Sequence, residues 1–384
     1  MLAPTILGVP ESILQARGGL WTAREIAQQP AMFLETQKIL MTDREKIKTF
    51  LQPLLARQDG RMILTGAGTS AFIGESLAPW LAGKLQRRIE AIPTTDLISA
   101  PGIYFAADIP TLLVSFGRSG NSPESVAAVE LARQCVTDVH NLVITCHDQG
   151  ALTRAAAAHR DLVIQLPEAT HDRGFAMTSS YSCMTYAGLV VLSGIEVFER
   201  KVNAISEAAG QVISDYTDML KDASEEGFDR VAYLGSHIFK GTTREAALKM
   251  MELTNGAVVT LFDSTVGVRH GPKTFINGET LVFVFVSNDP YTRKYDLDML
   301  EELRHDSVAK RVIAVTAQDG VGGDHIRVRG LDQAEDCELL FPYIVAPQIL
   351  AFQQSLHHSL APDRPNTNGT VHRVVQGVQI HERS

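Results

Sequence analysis

The chain has 384 residues, 45% hydrophobic and 21% charged, with a formal net charge of -9. This length exceeds what one core usually organises and predicts two domains, and the composition is that of a globular chain rather than a disordered or fibrous one. An acidic balance without Lys/Arg-rich runs argues against a nucleic-acid partner, which needs clustered positive charge against phosphates. The cysteines Cys135, Cys146, Cys183 and Cys337 form no C-x-x-C pair, as expected of reduced thiols in a cytoplasmic protein. The start of the chain is apolar but lacks a basic region and is broken by Pro4 and Pro10, so no signal peptide is expected. The longest apolar stretch, around Ala187–Phe198, falls short of the ~20 residues a membrane crossing needs, so no membrane partner is expected.

In chain order, Thr22-Ala23-Arg24-Glu25 has the spacing of a capping box and predicts a helix start, with Pro30 at a turn or at the next helix. Residues 1–45 thus read as a helical arm. Short apolar runs then alternate with longer helix-like stretches, the pattern of βαβ units and a parallel sheet. Arg61–Gly66, Thr111–Phe116 and Asn141–Cys146 are three such strands, and Leu162–Leu166 is a further one. Arg230–Gly235, Thr280–Phe285 and Arg311–Thr316 repeat the first three, each beginning 169 or 170 residues after its counterpart. That constant offset predicts duplication of one α/β domain. The copies fall at residues 46–205 and 215–365, with the boundary in the helical stretch Lys201–Gly227. A tail follows at 366–384, whose apolar run Val374–Ile380 predicts an ordered end.

In open α/β sheets, ligands bind where strands end and helices begin, because backbone N–H groups and the helix dipole converge there on an anion. The first copy has two such loops. Thr65-Gly66-Ala67-Gly68-Thr69-Ser70 offers glycines for close approach and the hydroxyls of Thr69 and Ser70. Taken alone it is also compatible with an ordinary tight turn, and Gly66-x-Gly68-x-x-Ala71 fits a loose dinucleotide fingerprint, which keeps a nicotinamide enzyme as an alternative. Gly117-Arg118-Ser119-Gly120-Asn121-Ser122 is more specific. Ser122 and Pro123 suit the N-cap and first position of a helix, and Arg118, Ser119 and Asn121 add donors that a plain cap does not require. A third polar run, His171–Ser180, interrupts an apolar region and reads equally as a site lining or a solvated loop. No Gly-x-x-x-x-Gly-Lys-Ser/Thr motif, H-E-x-x-H motif or other metal-ligand spacing occurs, so no cofactor and no metal are expected.

The second copy has Val286-Ser287-Asn288-Asp289-Pro290 in place of the serine-rich loop. Its distinctive feature is the helix Thr243–Thr254, on which Glu245, Lys249 and Glu252 share one face. A solvated salt-bridge stripe is the ordinary outcome of that spacing. His270 follows in the turn Arg269-His270-Gly271-Pro272. A histidine titrating near neutrality and a nearby carboxylate are the groups needed to open a sugar ring and move a proton between C1 and C2.

Together these segments resemble the sugar isomerase (SIS) family in its double-domain form. Thr65–Ser70 and Gly117–Ser122 are similar to its two sugar-phosphate loops, and Leu248-Lys249-x-x-Glu252 and His270-Gly271-Pro272 are similar to two of its signatures. Glu25-Ile26-x-x-Gln29-Pro30 resembles the segment preceding the first domain of glucosamine-6-phosphate synthase. Within the family, Leu64–Gly74, Ser115–Ser125 and Thr170–Ser180 look most like the AgaS-type proteins of amino-sugar catabolism. These are associated with galactosamine 6-phosphate deamination and, under an older label, with tagatose-6-phosphate ketose/aldose isomerisation.

The resemblance implies two tandem SIS domains, each a doubly wound, flavodoxin-like parallel sheet flanked by helices. It implies a phosphorylated amino sugar or ketose as substrate and a homodimer or higher homo-oligomer as the assembly. Ser70, Ser119 and Ser122 would hold the phosphate, with Thr69, Gly117, Arg118, Thr178 and Ser179 nearby. Glu252 would be the base and Lys249 would assist the open-chain substrate. His270, from the neighbouring subunit, would open the ring. A pure aldose/ketose isomerase and a non-catalytic sugar-phosphate sensor are the alternatives. One position departs from the pattern: Gln376 aligns with a functional lysine in the synthase's tail. The sequence shows no N-terminal cysteine and no glutaminase domain, so ammonia release is the expected direction.

Overall fold

The computed structural model describes residues 5–156, 160–375 and 377–382. Gln376 lies outside them. The chain forms twelve strands among the described residues. β1 (Thr5–Ile6) and β2 (Val9–Pro10) make a small antiparallel hairpin. The rest build two five-stranded parallel sheets: β3 (Arg61–Thr65), β4 (Arg88–Ala91), β5 (Thr111–Gly117), β6 (Val139–Thr145) and β7 (Asp161–Gln165), then β8 (Arg230–Gly235), β9 (Val259–Asp263), β10 (Thr280–Phe285), β11 (Arg311–Thr316) and β12 (His325–Arg327).

The first sheet has the order β4-β3-β5-β6-β7 and the second β9-β8-β10-β11-β12. Counted within each sheet, both are 2-1-3-4-5, the flavodoxin-like order, in which the winding reverses between the first and third strands. Register repeats as well: Arg61 pairs with Thr111, and Arg230 with Thr280. The strands named from the sequence are therefore the inner strands of both sheets together with the edge strand β7. The edge strands β4, β9 and β12 carried no such signal, being short and only partly buried.

The chain divides into two compact units. One comprises residues 32–171, 180–200 and 369–384 and holds the first sheet. All residues of β3 and β5 are buried there, as expected of parallel strands covered on both faces. Ile63, Leu113 and Val143 pack with Ala128, Val129 and Ala132 of the helix Pro123–Cys135. In the helix Ser179–Ser193, Gly188 meets the Phe116 ring so closely that an added Cβ would lie 2.9 Å from it.

The other unit comprises residues 1–31, 172–179 and 201–368 and holds the second sheet. Val282, Val284 and Ala314 pack with Met299, Leu300 and Leu303 of the helix Thr292–Asp306. The helix Asp336–His357 corrects the expectation drawn from Ala187–Phe198. By length and composition it is apolar enough to span a bilayer, yet its apolar window is wholly buried, as befits a core helix packed against the long helix Val202–Glu225. The arm belongs to this unit as the helices Glu11–Arg17 and Leu20–Ala27. The capping box is not formed: the second arm helix begins at Leu20 after Gly19, and Thr22 lies inside it. Thr22 instead directs its hydroxyl to Asp363 Oδ1 at 2.8 Å, a long-range bond that outcompetes the local cap. Pro30 sits in the first turn of the helix Gln29–Thr42, as the sequence suggested.

Candidate active site

The two candidate phosphate loops follow β3 and β5, the neighbouring strands between which the first sheet reverses its winding. At the first, Gly66 is required by close approach, since a Cβ there would lie 2.6 Å from the Ser70 carbonyl carbon. Thr69 and Ser70 are buried and open the helix Thr69–Leu85. The second loop is braced from behind. Thr145 Oγ1 donates to the Gly117 carbonyl at 2.7 Å, Leu152 N to the Gly120 carbonyl at 2.9 Å, and Ala151 N to Asn121 Oδ1 at 2.9 Å. Asn121 thus braces the loop through its side-chain oxygen. Ser119 is buried and accepts the Asn121 amide at 3.3 Å. Ser122 is the N-cap before Pro123, but its hydroxyl does not cap the helix.

Arg118 is buried and donates from Nη2 to the Arg373 carbonyl at 2.7 Å, which ties the loop to the tail of the same unit. The described tail residues from 366 form no helix or strand. His147 was not singled out by sequence. Its ring stacks on His171 with centroids 4.8 Å apart, and its Nδ1 lies 3.3 Å from the Ser119 carbonyl. Only its place just past β6 could have drawn attention to it.

In the second-sheet unit, Thr178 and Ser179 are buried and organised by Asp172. Asp172 Oδ2 accepts the Thr178 amide at 2.8 Å, and its other oxygen accepts the Ser179 hydroxyl. Gln28 Nε2 donates to Ser179 Oγ at 2.9 Å. The Ser179 hydroxyl is therefore engaged within the protein.

The helix Phe239–Leu253 carries Glu245, Lys249 and Glu252 in the same unit. It is no solvated stripe. Lys249 and Glu245 are fully buried, while the Glu252 side chain keeps 24% of its surface exposed. Lys249 Nζ lies 3.4 Å from Glu245 Oε1 and also pairs with Glu252. A buried ammonium is tolerated only when paired, so the two carboxylates fix Lys249, and only Glu252 reaches the surface. His270 ends the short turn Gly267–His270 and is exposed. Its neighbours hold the turn: Arg269 Nε meets Glu302 at 2.8 Å and Lys273 bridges Glu302 and Asp306. Hydrogen bonds from Lys273 and Arg269 keep the Glu302 carboxyl below the ordinary range.

At the matching reversal point of the second sheet, between β8 and β10, the amides already have an anion. Asp296 accepts Ser236 Oγ at 2.6 Å, Thr265 Oγ1 at 2.8 Å and the Ser287 amide at 3.0 Å. Asp336 accepts the Asn288 amide at 2.7 Å and the Ser287 hydroxyl. Burial pushes both carboxyls above the usual aspartate range, against the pull of these hydrogen bonds. Asp296 sits in the charged run Thr292–Asp306, which reads from sequence as a surface helix.

Paired sheets of flavodoxin-like order with loops of this kind define a SIS-domain protein, and the SIS domain family pattern matches residues 54–193. The D-galactosamine-6-phosphate deaminase AgaS of Escherichia coli is 44% identical over 97% of this chain and 99% of its own length. The protein of that name from Shewanella sp. (strain ANA-3) is 42% identical over 95% of this chain and 92% of its own. A crystal structure of tagatose-6-phosphate ketose/aldose isomerase from Escherichia coli matches with a TM-score of 0.88 and 42% identity, covering 95% of this chain and 97% of that one. The chain belongs to the AgaS family of SIS-domain proteins.

Proposed function

We propose that this protein is a D-galactosamine-6-phosphate deaminase that converts an amino-sugar 6-phosphate to tagatose 6-phosphate and ammonia in amino-sugar catabolism. Near-full-length identity to relatives of that name supports the substrate. The observation that carries the chemistry is the buried Glu245–Lys249–Glu252 set, because a lysine fixed between carboxylates on a core helix is costly to keep for stability alone.

In this reading Ser70, Ser119 and Ser122 hold the phosphate, helped by Thr69, the Gly117 backbone and the helix N-termini behind them. Arg118 sets the loop's position and adds positive charge, and Thr178 is a further contact. His270 assists ring opening, its exposure suiting a group that serves a neighbouring subunit of a cytoplasmic homodimer or larger homo-oligomer. Glu252 takes the C2 proton of the open-chain aldehyde, giving an enolamine, and the proton returns at C1. Lys249 stabilises the developing negative charge. The C2 imine then adds water and loses ammonia, leaving the ketose. The balance is one water consumed and one ammonia released, with no external oxidant or reductant.

Incubation with galactosamine 6-phosphate should release ammonia and tagatose 6-phosphate in equal amounts. The isomerase name of the solved relative supports a second reading, in which aldose and ketose phosphates interconvert by the same shuttle. Ketose formation from an aldose phosphate, with no ammonia from the amino sugar, would select it.

A further inference from the structure

The motif Glu25-Ile26-x-x-Gln29-Pro30 has no part in the chemistry above, yet the Glu25 side chain is buried. Glu25 Oε1 accepts the amides of Arg173 and Gly174, the latter at 3.2 Å. Gly174 fits so closely that a Cβ would lie 2.8 Å from Glu25 Oε2 and 2.7 Å from Thr22 Oγ1. Gln28, one turn further along, donates to Ser179 Oγ. Between these points Phe175 N donates to the Asp363 carbonyl at 3.1 Å, and the Arg173 guanidinium lies 4.3 Å from the Trp21 ring centre. Residues 172–178 are neither helix nor strand, so side chains must satisfy and fix their backbone.

From this geometry we infer that Glu25 is a positioning residue for the reaction: by holding the Arg173 and Gly174 amides it sets the segment that presents Thr178 to the sugar phosphate. The inference rests on the reading in which Thr178 contacts substrate. Burial, with Asp172 and Asp363 adding repulsion, pushes the Glu25 carboxyl up to about 8. Apolar packing would hold an arm helix without that penalty, whereas a carboxyl, even a neutral one, supplies an acceptor aimed at two loop amides. A glutamine retains that acceptor and an alanine does not, which separates positioning from bulk packing.

Steady-state kinetics on galactosamine 6-phosphate, beside calorimetric binding of the same compound, tests the idea. Glu25→Ala is expected to raise KM and weaken binding about tenfold, with kcat changed no more than about threefold, and Glu25→Gln to stay within about twofold of wild type below pH 8. An unchanged KM in Glu25→Ala, or equal damage in both variants, overturns it. Should Glu25→Ala not fold, Gln28→Ala takes its place: a raised KM supports the inference and an unchanged one overturns it. If wild type binds the sugar phosphate but releases no ammonia, the deaminase reading falls, and the binding ratio between wild type and variant still decides this one. No binding by wild type overturns both.

Discussion

The two sheets share strand order and register but finish their reversal points differently. In the first, Gly117–Ser122 is braced from behind by Thr145, Ala151 and Leu152, and Ser122 keeps its hydroxyl clear of the helix cap. In the second, Asp296 and Asp336 take the hydroxyls and amides of Ser236, Thr265, Ser287 and Asn288. An amide cluster at a strand end attracts an anion wherever it occurs. Two copies of one architecture thus answer the same electrostatic demand, one with an internal carboxylate and one with a loop suited to a ligand. In the second copy the neighbouring helix instead brings one carboxylate, Glu252, to the surface.

Four measurements sharpen or break that contrast. Glu252→Gln should lower kcat by about a thousandfold, the loss expected of a positioned base. A variant with wild-type turnover would remove catalysis from the second copy. Asp296→Ala should cost about 3 kcal/mol in denaturant unfolding, since it strands buried hydroxyls and an amide. High inorganic phosphate should restore part of this if the cluster is a filled anion site, and a stability indifferent to phosphate would argue that it is only a polar core. Ser119→Ala should raise KM about tenfold through loss of a hydrogen bond to a charged group, with the fold intact. The last measurement concerns pH. Because the folded-state pKa of Glu25 is raised from 4.5 to about 8, the folded chain holds a proton there that the unfolded chain has lost, so stability falls as pH rises through that window. Glu25→Gln should show a shallower fall in unfolding measured from pH 5 to pH 8.

Much of this was legible in the sequence because it is local. Core strands declare themselves as short apolar runs, and the offset between Arg61 and Arg230 carries the repeat. The glycine and serine loops are likewise continuous in sequence. What stayed hidden depends on distance along the chain. Thr22-x-x-Glu25 satisfies the capping rule, yet Thr22 bonds Asp363 and Glu25 bonds Arg173 and Gly174. Glu245 and Lys249 obey the spacing of a surface stripe, and only packing against the rest of the unit reveals their burial. Asp296 was unreadable for the same reason, being one acid in a charged helix.

The bond from the Thr22 amide to Asp363 spans 341 positions in the chain. Thr22 therefore waits for a partner made 341 positions later, and this contact of the second-sheet unit cannot form until Asp363 has left the ribosome. Most of the first-sheet unit lies between them and is free to fold in that interval. The Arg173–Ser179 segment, held by the arm, is set only then, so a nascent chain stalled before Asp363 would carry the Gly117–Ser122 loop but no properly seated Thr178.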